Sequence, residues 1–194
     1  TVRPHNFAST DADQTMTLGF DPDTMPHALI NNRNGTFSFV KLDEATANAA
    51  NNDNYWKDRD VGDDVSNPFP TFTGHKIQEM FFHRNRLGFV SGENIILSQP
   101  GSYFNFFIVS AISFSDDNPI DITVSDVKPA FINHVLPIQK GLMMFSDNGQ
   151  FLLFTESDIF SPKTARLKKV ASYECDSSIQ PVDLGTSILF TSNV

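Results

Sequence analysis

The sequence MFFHRNRLGFVSGENIILS fills residues 80–98 and contains two apolar runs separated by the polar segment 91–94. Aromatic and β-branched residues, which are enriched in β-strands, make up much of both runs. Gly92 lies in the polar segment, where glycine adopts turn conformations without steric cost. This pattern predicts an antiparallel hairpin with strands at 80–90 and 95–98.

A second hairpin is predicted on the N-terminal side, where residues 27–30 and 36–40 flank an Asn-Gly pair that ends at Gly35. An Asn-Gly pair supplies the positive φ angles that a tight hairpin turn requires. Phe37 and Phe39 alternate with polar neighbours, which is the period-two pattern of a half-buried strand. We therefore expect one face of this hairpin to be covered by the core.

Towards the C-terminus, residues 142–145 and 150–154 flank a polar turn that ends at Gly149, and they predict a third hairpin. Residues 164–173 alternate as a further strand, which their basic side chains predict to be exposed, and residues 187–190 begin another strand. No segment shows the periodicity of an amphipathic helix longer than two turns. The pattern along the whole chain is therefore one of strands and turns.

The spacing of these turns determines the predicted architecture. The turns lie near residues 33, 93 and 148, and a spacing of roughly 55 to 60 residues suits the blades of a β-propeller with long connections. The alternative is a β-sandwich, in which turns usually recur every ~8–12 residues. We predict an all-β chain of antiparallel hairpins in part of a β-propeller-like domain. It is one β-rich region over 1–194, with long surface loops at 43–54 and 60–70.

Composition and charge restrict the class of protein. The chain has 194 residues, 40% hydrophobic residues and 19 Phe, which is enough for a packed core. A net charge of −9 argues against a protein that reads nucleic-acid sequence, although it suits a surface that DNA passes without being retained. Cys175 is the single cysteine, which excludes an internal disulfide. The chain begins at Thr1 without a Met, and we expect it to be a fragment of a longer protein.

The motifs of common catalytic and cofactor sites are absent from the sequence. No two His residues have the spacing of metal ligands, and the nucleophile-elbow, phosphate-binding and dinucleotide-binding motifs are missing. The sequence therefore predicts no catalytic residues, no metal ligands and no cofactor.

Two charged groups remain as candidate contacts. Asp116, Asp117 and Asp121 lie in one short acidic turn, where they either bind a hard cation or cap their own backbone; we favour the second interpretation. Arg84 and Arg86 alternate along an apolar strand, which indicates contacts with carboxylates or aromatic rings, with phosphate as the alternative.

The aromatic run 103–107, which follows a Pro-Gly turn at Gly101, fits either a sugar-binding surface or core packing. We favour core packing for these rings.

Six blocks of sequence occur in one order within residues 55–121. They are residues 59–64, 67–70, 81–89, 91–94, 101–107 and 115–121. In this order they resemble the tail tubular protein B, or nozzle, family of short-tailed bacteriophages (podoviruses).

This resemblance implies a propeller-containing structural subunit of the virion tail that is assembled in the host cytoplasm and is not an enzyme. It implies a homo-oligomer, a hexamer in the full-length protein, in contact with the tail adaptor, the tail fibre proteins and the host envelope. Double-stranded DNA would pass through the ring during ejection without sequence recognition. The matched motifs imply that Gly92 and Gly101 lie in turns, and that Arg84, Arg86 and the acids of residues 116–121 make contacts within or between blades.

Two other function classes compete with this interpretation. A tail-associated propeller glycosidase or depolymerase needs two carboxylates about 5 to 10 Å apart in a cleft. A carbohydrate-binding module needs exposed rings in the run 103–107. Buried rings would argue against the module, and a lack of paired carboxylates in any pocket would argue against the enzyme.

Overall fold

The computed structural model describes Val2, residues 4–8 and residues 15–192. The all-β prediction is confirmed, since these residues form strands and one short helix. In chain order the elements are β1 (Pro4–Ala8), β2 (Thr15–Phe20), β3 (Ala28–Asn31), β4 (Phe37–Val40), α1 (Glu44–Ala49), β5 (Glu79–His83), β6 (Arg86–Ser91), β7 (Asn94–Leu97), β8 (Ile120–Thr123), β9 (Ile132–Ile138), β10 (Gly141–Ser146), β11 (Gly149–Thr155), β12 (Ala165–Ala171), β13 (Val182–Asp183) and β14 (Ile188–Leu189). Within the described residues, no helix has the length and apolar character needed to cross a membrane.

Two four-stranded antiparallel sheets form the centre of the fold. The first sheet has the order β5-β6-β7-β8 and the second sheet has the order β9-β10-β11-β12, so strands that are neighbours in sequence are neighbours in space. The pairs β1-β2, β3-β4 and β13-β14 form two-stranded sheets. Each large sheet is therefore a simple meander of antiparallel strands.

A mainly aliphatic core fills the space between the two large sheets. Ile95 of the first sheet and Leu142 and Leu153 of the second sheet belong to it and are almost inaccessible to solvent. Phe81 also reaches this core because its cross-strand partner is Gly88. A Cβ atom at position 88 would lie 2.2 Å from the Phe81 ring, so the glycine provides the space for that ring.

A second, aromatic core covers the opposite face of the first sheet. Phe89 and Ile96 from the sheet pack with Trp56, Phe72 and Phe106 from the connecting segments. The rings of Phe89 and Phe106 are stacked, with centroids 5.0 Å apart. The first sheet is consequently buried on both faces, and every residue of β6 is buried.

The segment 80–90, which was predicted as one strand, is a hairpin. A two-residue turn at Arg84 (φ 47°) and Asn85 (φ 60°) separates β5 from β6. Positive φ at both positions is the geometry of tight hairpin turns. The Tyr103 hydroxyl donates to Asn85 Oδ1 at 2.7 Å, and the Gly101 N–H donates to the Asn85 carbonyl at 2.8 Å. Distant residues therefore stabilise a turn that carries no local Gly signal.

The segment 43–54, which was predicted as a loop, contains the helix α1. Asp43 is its N-cap and accepts a hydrogen bond from the Thr46 N–H at 2.7 Å. Hydrogen bonds from Thr46 lower the pKa of Asp43 to about 2. The other predicted loop, 60–70, contains neither helix nor strand.

Three of the four predicted turn glycines have a left-handed backbone: Gly35 (φ 86°), Gly92 (φ 63°) and Gly101 (φ 75°). Gly149 instead pairs with Ser146 across the turn and is the first residue of β11.

The hairpin β3–β4 forms where predicted, but its apolar face is not covered. Phe37 and Phe39, which were expected to be half-buried, are 62% and 72% exposed. Alternation along a strand identifies one face and does not show whether another element covers it. Within the hairpin, Ala28 at its base packs against the aromatic core, and most of the other residues are exposed.

Candidate functional site

A buried arginine lies where the two large sheets meet. Arg86 is 2% exposed. Its Nη1 donates to the carbonyls of Ser98 and Asn118, both at 2.8 Å. Its Nη2 donates to the carbonyls of Asp116 at 3.1 Å and Phe160 at 3.4 Å. The first three carbonyls lie between β7 and β8, and the fourth lies between β11 and β12, so one guanidinium connects both sheets.

The electrostatics of Arg86 indicate a structural role. A buried charge is costly unless its hydrogen-bonding groups are satisfied, and here four main-chain carbonyls accept from one guanidinium. Burial lowers the pKa of Arg86, while the nearby Asp117 carboxylate raises it. A planar guanidinium presents several N–H donors in fixed directions, which a Lys ammonium does not.

The β11–β12 connection also contacts Arg84 and Asp116, two further residues that the sequence singled out. The Arg84 guanidinium lies 5.7 Å from the centroid of the Phe160 ring, and the His83 ring meets it edge-on at 5.4 Å. Asp116 Oδ1 lies 3.7 Å from Lys163 Nζ, and Lys163 follows Phe160 by three residues. Arg84, Arg86 and Asp116 therefore all reach from the first sheet to the β11–β12 connection. Sequence reasoning missed Phe160, because a single aromatic in a polar connection has no periodicity.

Asp121 contacts another part of the chain, the segment that follows loop 60–70. Its Oδ2 accepts from the Thr71 N–H at 2.8 Å and its Oδ1 accepts from the Thr71 hydroxyl at 2.7 Å. It therefore attaches β8 to the segment that follows loop 60–70. Asp116 and Asp117 are exposed, and no group of three or more His, Cys, Asp or Glu side chains in the described residues is arranged to hold a metal ion.

A second buried arginine organises loop 60–70. Arg59 is 7% exposed, and its Nη1 donates to Asp64 Oδ1 at 2.6 Å and to the Asn67 carbonyl at 3.0 Å. The Asn67 side chain donates to the Val61 carbonyl at 2.8 Å and accepts from the Ile108 N–H at 3.2 Å. The sequence blocks 59–64 and 67–70 thus supply one hydrogen-bonded loop.

The aromatic run 103–107 lies mainly within the core. Phe106 and Phe107 are 4% and 2% exposed, and Tyr103 and Phe104 are partly buried against the same aromatic core. A sugar-binding surface requires rings that a ligand can reach. The burial of these rings therefore favours core packing over a carbohydrate-binding module.

Two cavities on the surface differ in the acids that line them. The cavity beside loop 60–70, of about 580 Å³, contains a single carboxylate, that of Asp64. A cavity of about 330 Å³ is lined by several acids, among them Asp23 and Asp43. Lys41 Nζ forms ion pairs with both carboxylates, 3.2 Å from Asp23 Oδ1 and 3.1 Å from Asp43 Oδ2. A general acid needs a raised pKa, whereas the pKa of Asp43 is lowered to about 2.

Comparisons with known proteins agree with a structural role. A sequence model of the bacteriophage nozzle protein family matches residues 12–194. The tail tubular protein gp12 of Escherichia phage T7 is 37% identical over 184 residues, which cover 92% of this chain. The chain spans 22% of the length of that relative. The resemblance seen in residues 55–121 is confirmed, and the chain belongs to the bacteriophage nozzle protein family, a family of structural proteins of the virion tail.

Proposed function

We propose that this region forms part of the wall of a phage tail nozzle, with the two large sheets as adjacent blades of a propeller-like domain. Both sheets are four-stranded meanders, which is the strand order of propeller blades. They pack face to face through one aliphatic core. Beyond the second sheet, Phe190, which follows β14, contacts Phe145 with ring centroids 5.5 Å apart. This contact continues the stacking beyond the second blade.

The observation that carries this proposal is the Arg86 junction. A single buried guanidinium binds main-chain carbonyls in the β7–β8 connection of the first sheet and in the β11–β12 connection of the second sheet. Main-chain carbonyls hold the two sheets in one relative position without any reacting group. Such a junction makes a rigid support, as the wall of a conduit requires.

In the full-length protein, we propose that six copies form a closed ring through which double-stranded DNA leaves the particle. Head-to-tail contacts between identical subunits generate rings when the rotation closes. The net charge of −9 supports passage without retention, because DNA binding depends on Lys and Arg contacts to phosphate. The tail adaptor, the tail fibres and the host envelope are the proposed neighbours of this ring.

Cryo-electron microscopy of the full-length protein tests the proposal. We expect a closed six-fold ring around a channel that admits duplex DNA, with the residues of this chain in its wall. A monomer, an open filament, or a ring whose channel excludes DNA would contradict it.

A DNA-binding assay on the purified ring tests the passage of DNA separately. We expect no retention of duplex DNA at physiological salt. Tight binding that weakens steeply with added salt would contradict an acidic, non-retaining channel. Polysaccharide hydrolysis by the same preparation would instead favour the enzyme class.

A further inference from the structure

Two Asn-Gly pairs occur in hairpin turns of this chain, Asn34-Gly35 and Asn148-Gly149. In such a pair the main-chain nitrogen of the glycine can attack the side-chain amide carbon of the asparagine and close a five-membered ring. A glycine favours this attack because it has no Cβ to obstruct the ring. The reaction is intramolecular, so its rate depends on how each turn holds the two reacting groups.

The turn of the hairpin β3–β4 exposes both Asn34 and Gly35 to solvent. A Cβ atom built at Gly35 would have no other atom within 4 Å, so the space around the attacking nitrogen is open. Within the described part of the chain, no group accepts a hydrogen bond from the Gly35 N–H. The nucleophile of this pair is therefore accessible, and the ring has room to form.

Two hydrogen bonds polarise the side-chain amide of Asn34. Its Oδ1 accepts from the Thr36 N–H at 3.0 Å and from the Thr36 hydroxyl at 2.6 Å. Asn32 Nδ2 donates to the same hydroxyl at 3.0 Å, which leaves the hydroxyl proton directed at Asn34. When the Gly35 nitrogen adds to Asn34 Cγ, negative charge develops on Oδ1. Donors that already point at this oxygen stabilise the charge and so promote the addition.

The turn between β10 and β11 holds its Asn-Gly pair differently. Asn148 Nδ2, the nitrogen that the reaction has to release, donates to the Pro129 carbonyl at 3.2 Å. Asn148 Oδ1 accepts from the Ser146 hydroxyl at 3.3 Å, which is longer than either bond to Asn34 Oδ1. Gly149 is buried and pairs with Ser146 as the first residue of β11. Ring closure at Asn148 therefore requires the end of the hairpin to open.

We propose that Asn34 is a site of spontaneous deamidation, promoted by the two hydrogen bonds from Thr36 and with water as the second reactant. The Gly35 nitrogen forms a bond to Asn34 Cγ and the Cγ–Nδ2 bond breaks. The proton of the Gly35 N–H leaves with Nδ2 as ammonia. Water then opens the resulting succinimide at either carbonyl, which gives aspartate or isoaspartate. The chemistry needs the hairpin alone and is independent of the proposed ring.

Deamidation changes both the charge and the backbone of the exposed turn. Residues 28–40 contain one charged side chain, that of Arg33. A carboxylate at position 34 therefore makes this hairpin neutral. Isoaspartate also adds a methylene group to the main chain between Asn32 and Thr36, whose N–H and carbonyl close the turn at 3.1 Å. The turn is thus altered irreversibly after the chain has folded.

Peptide mapping of the full-length protein by mass spectrometry tests the site. The folded protein is incubated at neutral pH in water that carries a heavy oxygen isotope, which distinguishes deamidation during the incubation from deamidation during digestion. We expect position 34 to become labelled aspartate and isoaspartate several-fold faster than position 148. In denaturant the two rates should approach each other, because both pairs lose their turns. A rate at position 34 that is equal to or below the rate at position 148 in the folded protein would overturn the inference.

The variant Thr36→Val separates the effect of the hydrogen bonds from the exposure of the turn. Valine keeps the shape of the side chain and the N–H donor, and it removes the hydroxyl donor to Asn34 Oδ1. We expect deamidation at position 34 to slow by about threefold or more, since one hydrogen bond to the developing charge is lost. The rate at position 148 in the same molecule is the control and should not change. An unchanged or faster reaction at position 34 would refute the promoting role of Thr36.

Discussion

The Arg86 junction and the hairpin β3–β4, which is called the arm, place charged and apolar groups in opposite positions from those expected of a soluble monomer. Arg86 is 2% exposed at the centre of the molecule, while Phe39 is 72% exposed at its edge. Charged side chains are almost never fully buried without partners, and clustered exposed rings mark interaction surfaces. The two regions therefore differ in what surrounds their side chains, since Arg86 is enclosed by the fold and the rings of the hairpin are largely in solvent.

The two regions also differ in how their side chains contribute to stability. At the junction, hydrogen bonds to Arg86 satisfy carbonyls that are already removed from water, so losing the donor leaves buried acceptors without a partner. On the arm, Phe37 and Phe39 remain largely in water and contribute little until another surface covers them. Substitutions in the first region should lower the stability of the chain. Substitutions in the second should leave the stability of the chain nearly unchanged.

The largest effect is expected for Arg86→Met. It removes the donor for four main-chain carbonyls, and a buried acceptor left without a partner costs about 1–3 kcal/mol, so the free energy of unfolding should fall by about 3–5 kcal/mol in total. Urea denaturation followed by circular dichroism measures this change. Arg86→Lys should recover only part of the loss. It keeps a charged donor, but an ammonium cannot satisfy all four carbonyls.

Arg166→Met is the matched control for the junction, since it removes the same charge from an exposed strand. It should change the free energy of unfolding by less than about 0.5 kcal/mol. Similar losses for Arg86→Met and Arg166→Met would show that the buried guanidinium has no special structural role.

The junction should also make stability depend on pH through His83. Burial and the neighbouring Arg84 lower the pKa of His83 from 6.5 to about 4. Between these values the unfolded chain binds a proton that the folded chain does not, so stability falls as the pH falls from 6.5 to 4. The loss attributable to His83 stays below the ~1.4 kcal/mol per pKa unit that the full shift would give, because solvent screens a ring that is only partly buried.

The variant His83→Phe isolates this contribution, since it keeps a ring against Phe160 and removes the titrating group. Urea midpoints measured from pH 7 to pH 4 should decline less steeply for the variant than for the parent chain. Identical slopes would mean that His83 takes up its proton equally in the folded and unfolded states.

A smaller loss is expected for Gly88→Ala. The added Cβ would lie 2.2 Å from the Phe81 ring, which has to leave its position in the aliphatic core. Overpacking of this kind costs about 1–3 kcal/mol. Thermal unfolding of Gly149→Ala supplies the comparison, because the nearest atom there is the flexible Lys169 side chain at 3.1 Å. If both alanine variants unfold at the same temperature, Gly88 does not determine the packing of Phe81.

The parts of the fold that depend on local chemistry were predictable from the sequence. The turns at Gly35 and Gly92 and the strands beside them follow from turn residues and alternation. The turn at Arg84 and Asn85 was not predictable in this way, because Tyr103 and Gly101 hold it from a distance in sequence.

The candidate site was harder to predict from the sequence than the fold was. Sequence reasoning selected Arg86 as a contact residue, but its four carbonyl partners lie 12 to 74 residues away and have no side-chain signature. The alternation of Phe37 and Phe39 defined a face and led to the wrong expectation that it was covered. Exposure depends on which elements pack together, and a periodic pattern does not contain that information.

The smallest effect on stability is expected on the arm, and it completes the comparison with the junction. In the 194-residue chain, Phe37→Ser with Phe39→Ser should change the free energy of unfolding by less than about 1 kcal/mol, because both rings are mostly in water. Phe72→Ser, which empties a fully buried ring position, should instead cost about 3–5 kcal/mol. Urea denaturation measures both values. A large loss for the arm variant would show that the chain itself covers this face, and the apolar surface would then belong to the fold instead of to assembly.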